Sequence, residues 1–375
     1  MADTIRLGDA ATYINGYAFK PEDRGEVGLP IIRIQDLTGN SYDLGFYDGE
    51  YPEKIEIKDG DILISWSASL GVYVWNRGKA LLNQHIFKVA FDKTEINKYY
   101  FVYAVRKKLD EMKTKTHGAT MKHIVKKDFD ATLIPYPTLE KQAEIATNLD
   151  KISKVLETRK QEIQLLDELI KARFVEMFGT EREFDKWHCE TVSDVADVCV
   201  GVVLKPTQYY TNEGIPAFRS LNIGEMYVKD TDWVYFTEEG HHKNQKSVVR
   251  KNDVLVVRSG APGTACVATE KYDGYNAVDI IIAHPDNNKI NSVFLAAFTN
   301  MPHGMNQVRV KTGGAAQQHF NVGGYKTMRI ILPPIELQNQ FAAFVAEIDK
   351  SKVAVQKSLD ETQKLFDSLM QKYFG

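Results

Sequence analysis

Residues 7–21, LGDAATYINGYAFKP, lie over residues 192–206, VSDVADVCVGVVLKP, and both stretches end in Lys-Pro, at Lys20-Pro21 and Lys205-Pro206. A repeat of this kind sets the architecture before any local reading does. Gly28-Leu-Pro-Ile-Ile-Arg33 then lies over Gly214-Ile-Pro-Ala-Phe-Arg219. Asp61-Ile-Leu-Ile-Ser, followed by Ser67 and Gly71, matches Asp253-Val-Leu-Val-Val, followed by Ser259 and Gly263. Gly118-Ala with His123 matches Gly314-Ala with His319. Both halves then reach a proline (Pro137, Pro333), a Glu-x-Gln (Glu140/Gln142, Glu336/Gln338) and a Phe-Gly end (Phe178-Gly179, Phe374-Gly375). The blocks keep their order, so the chain is a duplication whose second copy carries loop insertions.

Each copy has two zones. Residues 1–138 and 186–334 read as short strands broken by Gly, Pro, Asn and Asp, with β-branched runs at Ile62–Ile64, Val72–Trp75, Val254–Val257 and Val278–Ala283. Helical segments are predicted around Tyr99–Lys108 and Val293–Thr299. The fold class expected is therefore α+β: two duplicated mixed α/β domains separated by two long helices.

The helices are residues 139–179 and 335–375. In the first, Ile145, Leu149, Ile152, Leu156, Arg159, Ile163, Leu166, Ile170, Arg173 and Met177 alternate spacings of four and three. The second repeats this at Phe341, Val345, Ile348, Lys352, Val355, Leu359, Thr362, Phe366, Leu369 and Tyr373. That is an a/d heptad seam. Glu140 and Glu336 suit the positive end of each helix dipole, and Gly179 and Gly375 suit a left-handed C-cap. Each helix is about 38 residues, or ~57 Å at ~1.5 Å per residue. Antiparallel pairing of the two, 145 opposite 373, keeps the seam in phase. It sets Arg159 against Leu359, Lys352 against Leu166 and Thr362 against Leu156, with the basic stems free to snorkel. Packing of each helix on its own domain, or homodimerisation, is the alternative.

Composition bounds the function. The chain has 375 residues, 43% hydrophobic and 26% charged, with a mean hydropathy of −0.32, which fits a globular chain of two domains. With 47 Lys+Arg against 50 Asp+Glu the net charge is −3, so a nucleic-acid surface has to be local. Cys189, Cys199 and Cys266 are too scattered for a disulfide framework or zinc knuckle. No signal-peptide pattern opens the chain, and a cytoplasmic location is expected. No phosphate-binding loop, dinucleotide fingerprint, zinc-protease motif, deaminase motif or Asn/Asp-Pro-Pro-Tyr/Phe methyltransferase motif is present. Asp230-Thr-Asp232 reads as a solvated loop rather than a metal site. Bond-breaking by this chain is not expected.

Recognition of DNA remains. Arg106-Lys107-Lys108, Lys113, Lys115, His117, Lys122, His123, Lys126 and Lys127 form a basic stretch in the first copy, and Arg309, Lys311 and His319 occupy the equivalent region of the second. Such cations neutralise phosphates, although a solvated helix face gives the same pattern. Base edges are matched by forked amides and guanidinium groups. The candidates are Arg33, Gln35, Asn83, Gln84 and His85 in the first domain, and Arg219, Asn222, Arg258, Asn276, Gln317 and Gln318 in the second. Arg33 and Arg219 are matched, so they are expected to share one role, with phosphate or with structure. His123 and His319 are matched too, which favours a structural hydrogen bond. Trp66 against Arg258, and Met121-Lys122 against Gln317-Gln318, are where two readers would differ.

This doubled order of motifs resembles the specificity subunit of type I restriction–modification systems, along essentially the whole chain. The resemblance implies two target-recognition domains (1–138 and 186–334), each followed by a conserved spacer helix. It further implies paired antiparallel helices, binding to double-stranded DNA, and two modification subunits. S-adenosylmethionine, ATP and Mg would then sit on the partner subunits, restriction subunits could join, and this chain would hold no cofactor or metal. Two divergent readers imply an asymmetric bipartite target with an unread gap. A ~57 Å helix bounds that gap at about 17 base pairs at ~3.4 Å each. A coiled-coil scaffold or regulator of a related defence system, binding protein instead of DNA, is the competing reading.

Overall fold

The computed structural model describes residues 3–39, 43–67, 69–115, 125–312 and 319–375, except the side chains of 114 and 115. The chain divides into two compact units. One is Met1–Lys160 with Lys357–Gly375, and the other is Gln161–Gln356. Each long helix is thus shared between the units, whereas the sequence reading treated the helices as separate segments.

The duplication is visible in the sheets. In the first unit an antiparallel sheet runs Thr12–Asn15, Ile86–Ala90, Ile62–Ser65, Gly71–Val74. In the second the order is Ala196–Val200, Ile280–Pro285, Val254–Val257, Ala265–Val267. A second sheet in each unit is built on one parallel pair, Leu29–Ile32 with Ala80–Leu82 and Ile215–Phe218 with Asn276–Ala277. Thr4–Arg6 pairs with Leu133–Pro135, and His188–Thr191 pairs with Arg329–Leu332. The expected β-branched runs therefore sit in the sheet strands, except that Trp75 follows its strand and Val278 precedes its own, bridging to Val202. The matched Gly16 and Gly201 are fixed by close approach. A Cβ there would lie 2.0 Å from the Asn83 carbonyl oxygen and 2.5 Å from that of Ala277.

The expected helices are present as Lys98–Lys115 and Ser292–Asn300. The first runs a further two turns past its predicted end. Asn97 and Asn291 cap them, with Oδ1 accepting from the Tyr100 amide at 3.0 Å and the Val293 amide at 2.8 Å. The long helices are Leu139–Phe178 and Ile335–Phe374. Gly179 closes the first in the left-handed region (φ 86°), its amide donating to the Val175 carbonyl.

Their first turns show what the Glu-x-Gln motif is for. Gln142 and Gln338 are fully buried. Gln142 Oε1 accepts from the Asn97 amide at 2.9 Å while Nε2 donates to the Pro137 carbonyl at 2.8 Å. Gln338 repeats this with Asn291 and Pro333 at 2.9 and 2.8 Å. Each glutamine ties a spacer helix to the cap of its domain's helix. Gln338→Ala leaves a buried amide and carbonyl without partners, so a loss of about 2–3 kcal/mol is expected in denaturant unfolding.

Within each unit the long helices run antiparallel. In the first, Ile145 and Leu149 share a core with Phe366, Leu369, Met370 and Phe374. In the second, Leu166, Ile170, Phe174 and Phe178 share one with Phe341, Val345 and Ile348. Every predicted seam residue is buried or half-buried, including Ile152, Leu156, Ile163, Val355 and Leu359. Two expectations are corrected. Lys352 does not snorkel into solvent, because its ammonium is 2.5 Å from Asp167 and 3.6 Å from Asp349, with little exposure. At the domain ends the seam moves by one residue. Phe174 and Phe178 are fully buried where Arg173 and Met177 were predicted, and Arg173 pairs with Glu176 at 2.7 Å on the rim. Here each helix meets a domain as well as its partner, which widens the apolar stripe.

Candidate nucleic-acid interface

The matched arginines follow equivalent strands and do equivalent work. The Arg33 amide donates to Asp36 Oδ2 at 2.7 Å, its Nε to the same oxygen at 3.2 Å, and its guanidinium to the Asp43 carbonyl. The Arg219 amide donates to Asn222 Oδ1 at 2.9 Å and its guanidinium to the Asp232 carbonyl. Their shared role is thus structural, each holding its own chain through the side chain three residues on and through a carbonyl further along, at Asp43 and at Asp232.

Three further candidates lie in the interior. Asn222 is fully buried, with Nδ2 donating to the Thr231 carbonyl at 2.6 Å. Asn276 is fully buried between His241 Nδ1 at 2.7 Å and Ser247 Oγ at 3.0 Å. The Arg258 guanidinium is almost covered. It pairs with Asp279, donates to His319 Nε2, and donates through Nε to the Phe320 carbonyl at 3.3 Å. These side chains are forked and polar, as base readers are, but their donors and acceptors are already used within the protein.

The Arg258 network builds what the second unit presents. His319 is exposed, and with Nε2 accepting from Arg258 its Nδ1–H donates to Ser259 Oγ at 2.6 Å. That fixes one tautomer and sets the ring at a defined orientation. In the first unit the position of Arg258 is taken by Trp66, half-buried against the His85 ring at 5.0 Å and stacked on Phe87 at 5.6 Å. Both adjoining turns contain a side-chain-bearing residue in the left-handed region, His85 (φ 72°) and Asp279 (φ 48°). Strained turns of this kind cluster at functional sites.

Gln84 and Gln35 are exposed, and Asn83 is half-buried. Tyr17 bridges to Asn83, and the Gln84 amide donates to the Tyr17 carbonyl at 2.8 Å. An aromatic face, 43% exposed, therefore stands beside two amides. The second unit has Val202 bridged to Val278, followed by Val203 and by Leu204 at 83% exposure. Sequence reasoning missed Tyr17 and Leu204. The shared Lys-Pro three or one residues downstream was the signal that pointed there.

Among the described residues of the basic stretch, lysines form ion pairs with carboxylates close along their helices. Lys108 pairs with Glu111 at 3.1 Å, Lys113 with Asp110 at 2.8 Å and Lys126 with Asp130 at 2.6 Å, while Lys107 donates to Gln371. Arg106, Lys126 and Lys127 are exposed among the described residues here. In the second unit, Arg309 is exposed beside Asn306, and Lys311 donates to Thr327 Oγ1 at 2.8 Å. Lys122, His123, Gln317 and Gln318, with the side chain of Lys115, lie outside the described residues. Asp230 is tied to Trp233 Nε1 and Lys271, and no metal-binding group of three or more His, Cys, Asp or Glu occurs among the described residues. No described helix is long and apolar enough to cross a membrane.

Two copies of one framework, carrying unlike surface residues on equivalent turns, define a class of paired recognition modules. Residues 2–168 and 185–362 match the model of the type I restriction modification DNA specificity domain, and the chain belongs to that family. It is 24% identical over 99% of its length to the type I restriction enzyme EcoBI specificity subunit of Escherichia coli, covering 85% of that protein. It is 22% identical, again over 99%, to the StySPI specificity subunit of Salmonella potsdam, covering 88%. In fold it is similar to the type I restriction-modification S subunit from M. genitalium, at a TM-score of 0.58 and 16% identity over 100% of this chain and 96% of that one.

Proposed function

We propose that this chain reads an asymmetric, gapped, two-part site on duplex DNA and directs modification subunits to it, without catalysing a reaction itself. The observation that carries the reading is the contrast at equivalent turns. Tyr17, Asn83 and Gln84 stand in one unit, and Leu204, Asp279 and His319 in the other. Unlike side chains on a common framework suit unlike half-sites, because direct readout depends on which donors and acceptors meet the base edges. S-adenosylmethionine belongs to the modification subunits in this reading, ATP and Mg to restriction subunits where these join, and the assembly works in the cytoplasm.

Mapping methylated bases in the source organism, with the gene intact and disrupted, tests this directly. One gapped motif should vanish, and an unchanged methylome would refute the proposal. Gln84→Ala should relax one half-site and leave the other as it was. The long helices are expected to set the gap. Adding one heptad to each, ~10.5 Å of helix, should lengthen the gap by about three base pairs at ~3.4 Å each and leave both half-sites unaltered. A constant gap in the mapped motif would end the ruler idea.

A further inference from the structure

The second unit holds a thiol, an imidazole and a carboxylate in sequence. His284 Nδ1–H donates to Asp253 Oδ1 at 2.6 Å, and His284 Nε2 lies 3.7 Å from Cys199 Sγ. Asp253 is fully buried, His284 is mostly covered, and Cys199 is half-buried on the edge strand Ala196–Val200. The Cys199 thiol donates to the Lys246 carbonyl at 3.2 Å. Lys246 also lines an open cleft with Leu204, Gln208 and Tyr209.

The first unit shows which part of this is framework. Asp61 and Asp253 both cap the turn before their strand, accepting from the Lys58 amide at 2.9 Å and the Arg250 amide at 2.6 Å. There the equivalence stops. By strand register Cys199 corresponds to Ile14 and His284 to Ala90, and Asp61 pairs instead with Lys88. The turn needs the carboxylate but neither the imidazole nor the thiol.

We infer that Cys199, oriented by His284 and Asp253, is a nucleophilic thiol that hydroperoxides oxidise to a sulfenic acid. A thiol beside an imidazolium that a carboxylate holds in place is an arrangement that favours the thiolate and so activates sulfur for attack. The Asp253 carboxylate keeps the imidazole protonated, its pKa pushed up to about 9, and the Cys199 sulfur acts in the same direction. Nε2–H therefore faces the sulfur as a proton donor. In the reaction the thiol proton goes to solvent and a sulfur lone pair attacks the peroxide oxygen. An S–O bond forms as the O–O bond breaks. The departing alkoxide, or hydroxide when the oxidant is hydrogen peroxide, takes the Nε2 proton and leaves as the alcohol or as water, and the imidazole regains a proton from solvent. Sulfur is oxidised by two electrons and the hydroperoxide is reduced.

Cys189 and Cys266 serve as internal references. Cys189 is also half-buried, packed against the core with its thiol donating to the Trp187 carbonyl, and Cys266 is fully buried. The full chain is pulsed with iodoacetamide at pH 7, or with hydrogen peroxide followed by dimedone, and each cysteine is quantified by mass spectrometry. Cys199 should alkylate roughly tenfold faster than Cys189 and be the site that gains a dimedone adduct. His284→Gln should remove most of that advantage. Asp253→Asn, which keeps an acceptor for the Arg250 amide, should lower it in the same direction. Labelling of Cys266 would reveal an unfolded variant, and the wild-type comparison then decides alone. Equal rates at Cys199 and Cys189 in the wild type, or an unchanged Cys199 rate in folded His284→Gln, would overturn the inference.

Discussion

Phe174→Ala should cost the second unit about 3–5 kcal/mol, the range for emptying a fully buried aromatic site. The ring stacks on Phe294 at 5.5 Å and 18°, and meets Phe341 edge-on at 5.5 Å and 87°. Phe178 stands a turn away at 5.0 Å. These partners come from the first long helix, the helix Ser292–Asn300 and the second long helix, so one truncation opens a void where three elements converge. The site cannot collapse without shifting a helix, which places the loss toward the upper end of that range. Leu165→Ala on the same helix removes a side chain that is 62% exposed and should stay within about 0.5 kcal/mol. Denaturant unfolding of both variants measures the contrast. A loss below about 1 kcal/mol for Phe174→Ala would mean that the ring is not the keystone its packing implies.

The heptad pattern could not have singled out Phe174. Spacings of four and three follow a helix that meets one neighbour, and that rule places Ile145, Leu149 and Ile170 correctly. Where the helix also meets a domain, the buried arc widens and its centre moves to Phe174 and Phe178, and in the second helix to Met370 and Phe374. The strand runs and the long helices were legible because the two copies check each other, the matched blocks at the first strands and at the helix starts falling on matched elements. Candidate readers were less legible, for a different reason. Residue type reveals which hydrogen bonds a side chain can make, but not whether the fold already uses them. Asn222, Asn276 and Arg258 have the chemistry to read bases and spend it on Thr231, His241 and Asp279. Gln142 and Gln338 were read as helix-start markers, yet their amides are the buried ties that hold the helices to their domains. Duplication did separate shared from divergent roles, as Arg33 and Arg219 make corresponding backbone and guanidinium contacts.

Two histidines should give the second unit a stability maximum near pH 6.5, with losses on both sides. His303 sits among Phe174, Phe184 and Phe298 with ring centroids 4.3–5.9 Å away, and its buried Nε2 has no partner. Burial pushes its pKa down to about 4 from 6.5. The folded state then resists a proton that the unfolded chain accepts. Its contribution is complete above pH 6.5 and is lost as pH falls from 6.5 to about 4. The loss amounts to roughly 3 kcal/mol at ~1.36 kcal/mol per pKa unit. His284 has the opposite sign. Asp253 raises its pKa to about 9, so its contribution is complete below pH 6.5 and is lost as pH rises to about 9. The lowered carboxyl of Glu183, held by the Thr180 amide, acts only below its ordinary 4.5. Burial raises the Asp349 carboxyl above its ordinary 3.8 and gives it the opposite slope, so the fall toward acid above 4.5 is carried by His303. His303→Leu fills the same aromatic pocket without a titrating group. It should flatten the fall between pH 6.5 and 4 while leaving the alkaline limb in place, and His284→Gln should do the reverse. Thermal melts from pH 4 to 9 separate the two limbs. An acid limb that survives His303→Leu unchanged would place the proton uptake on another group.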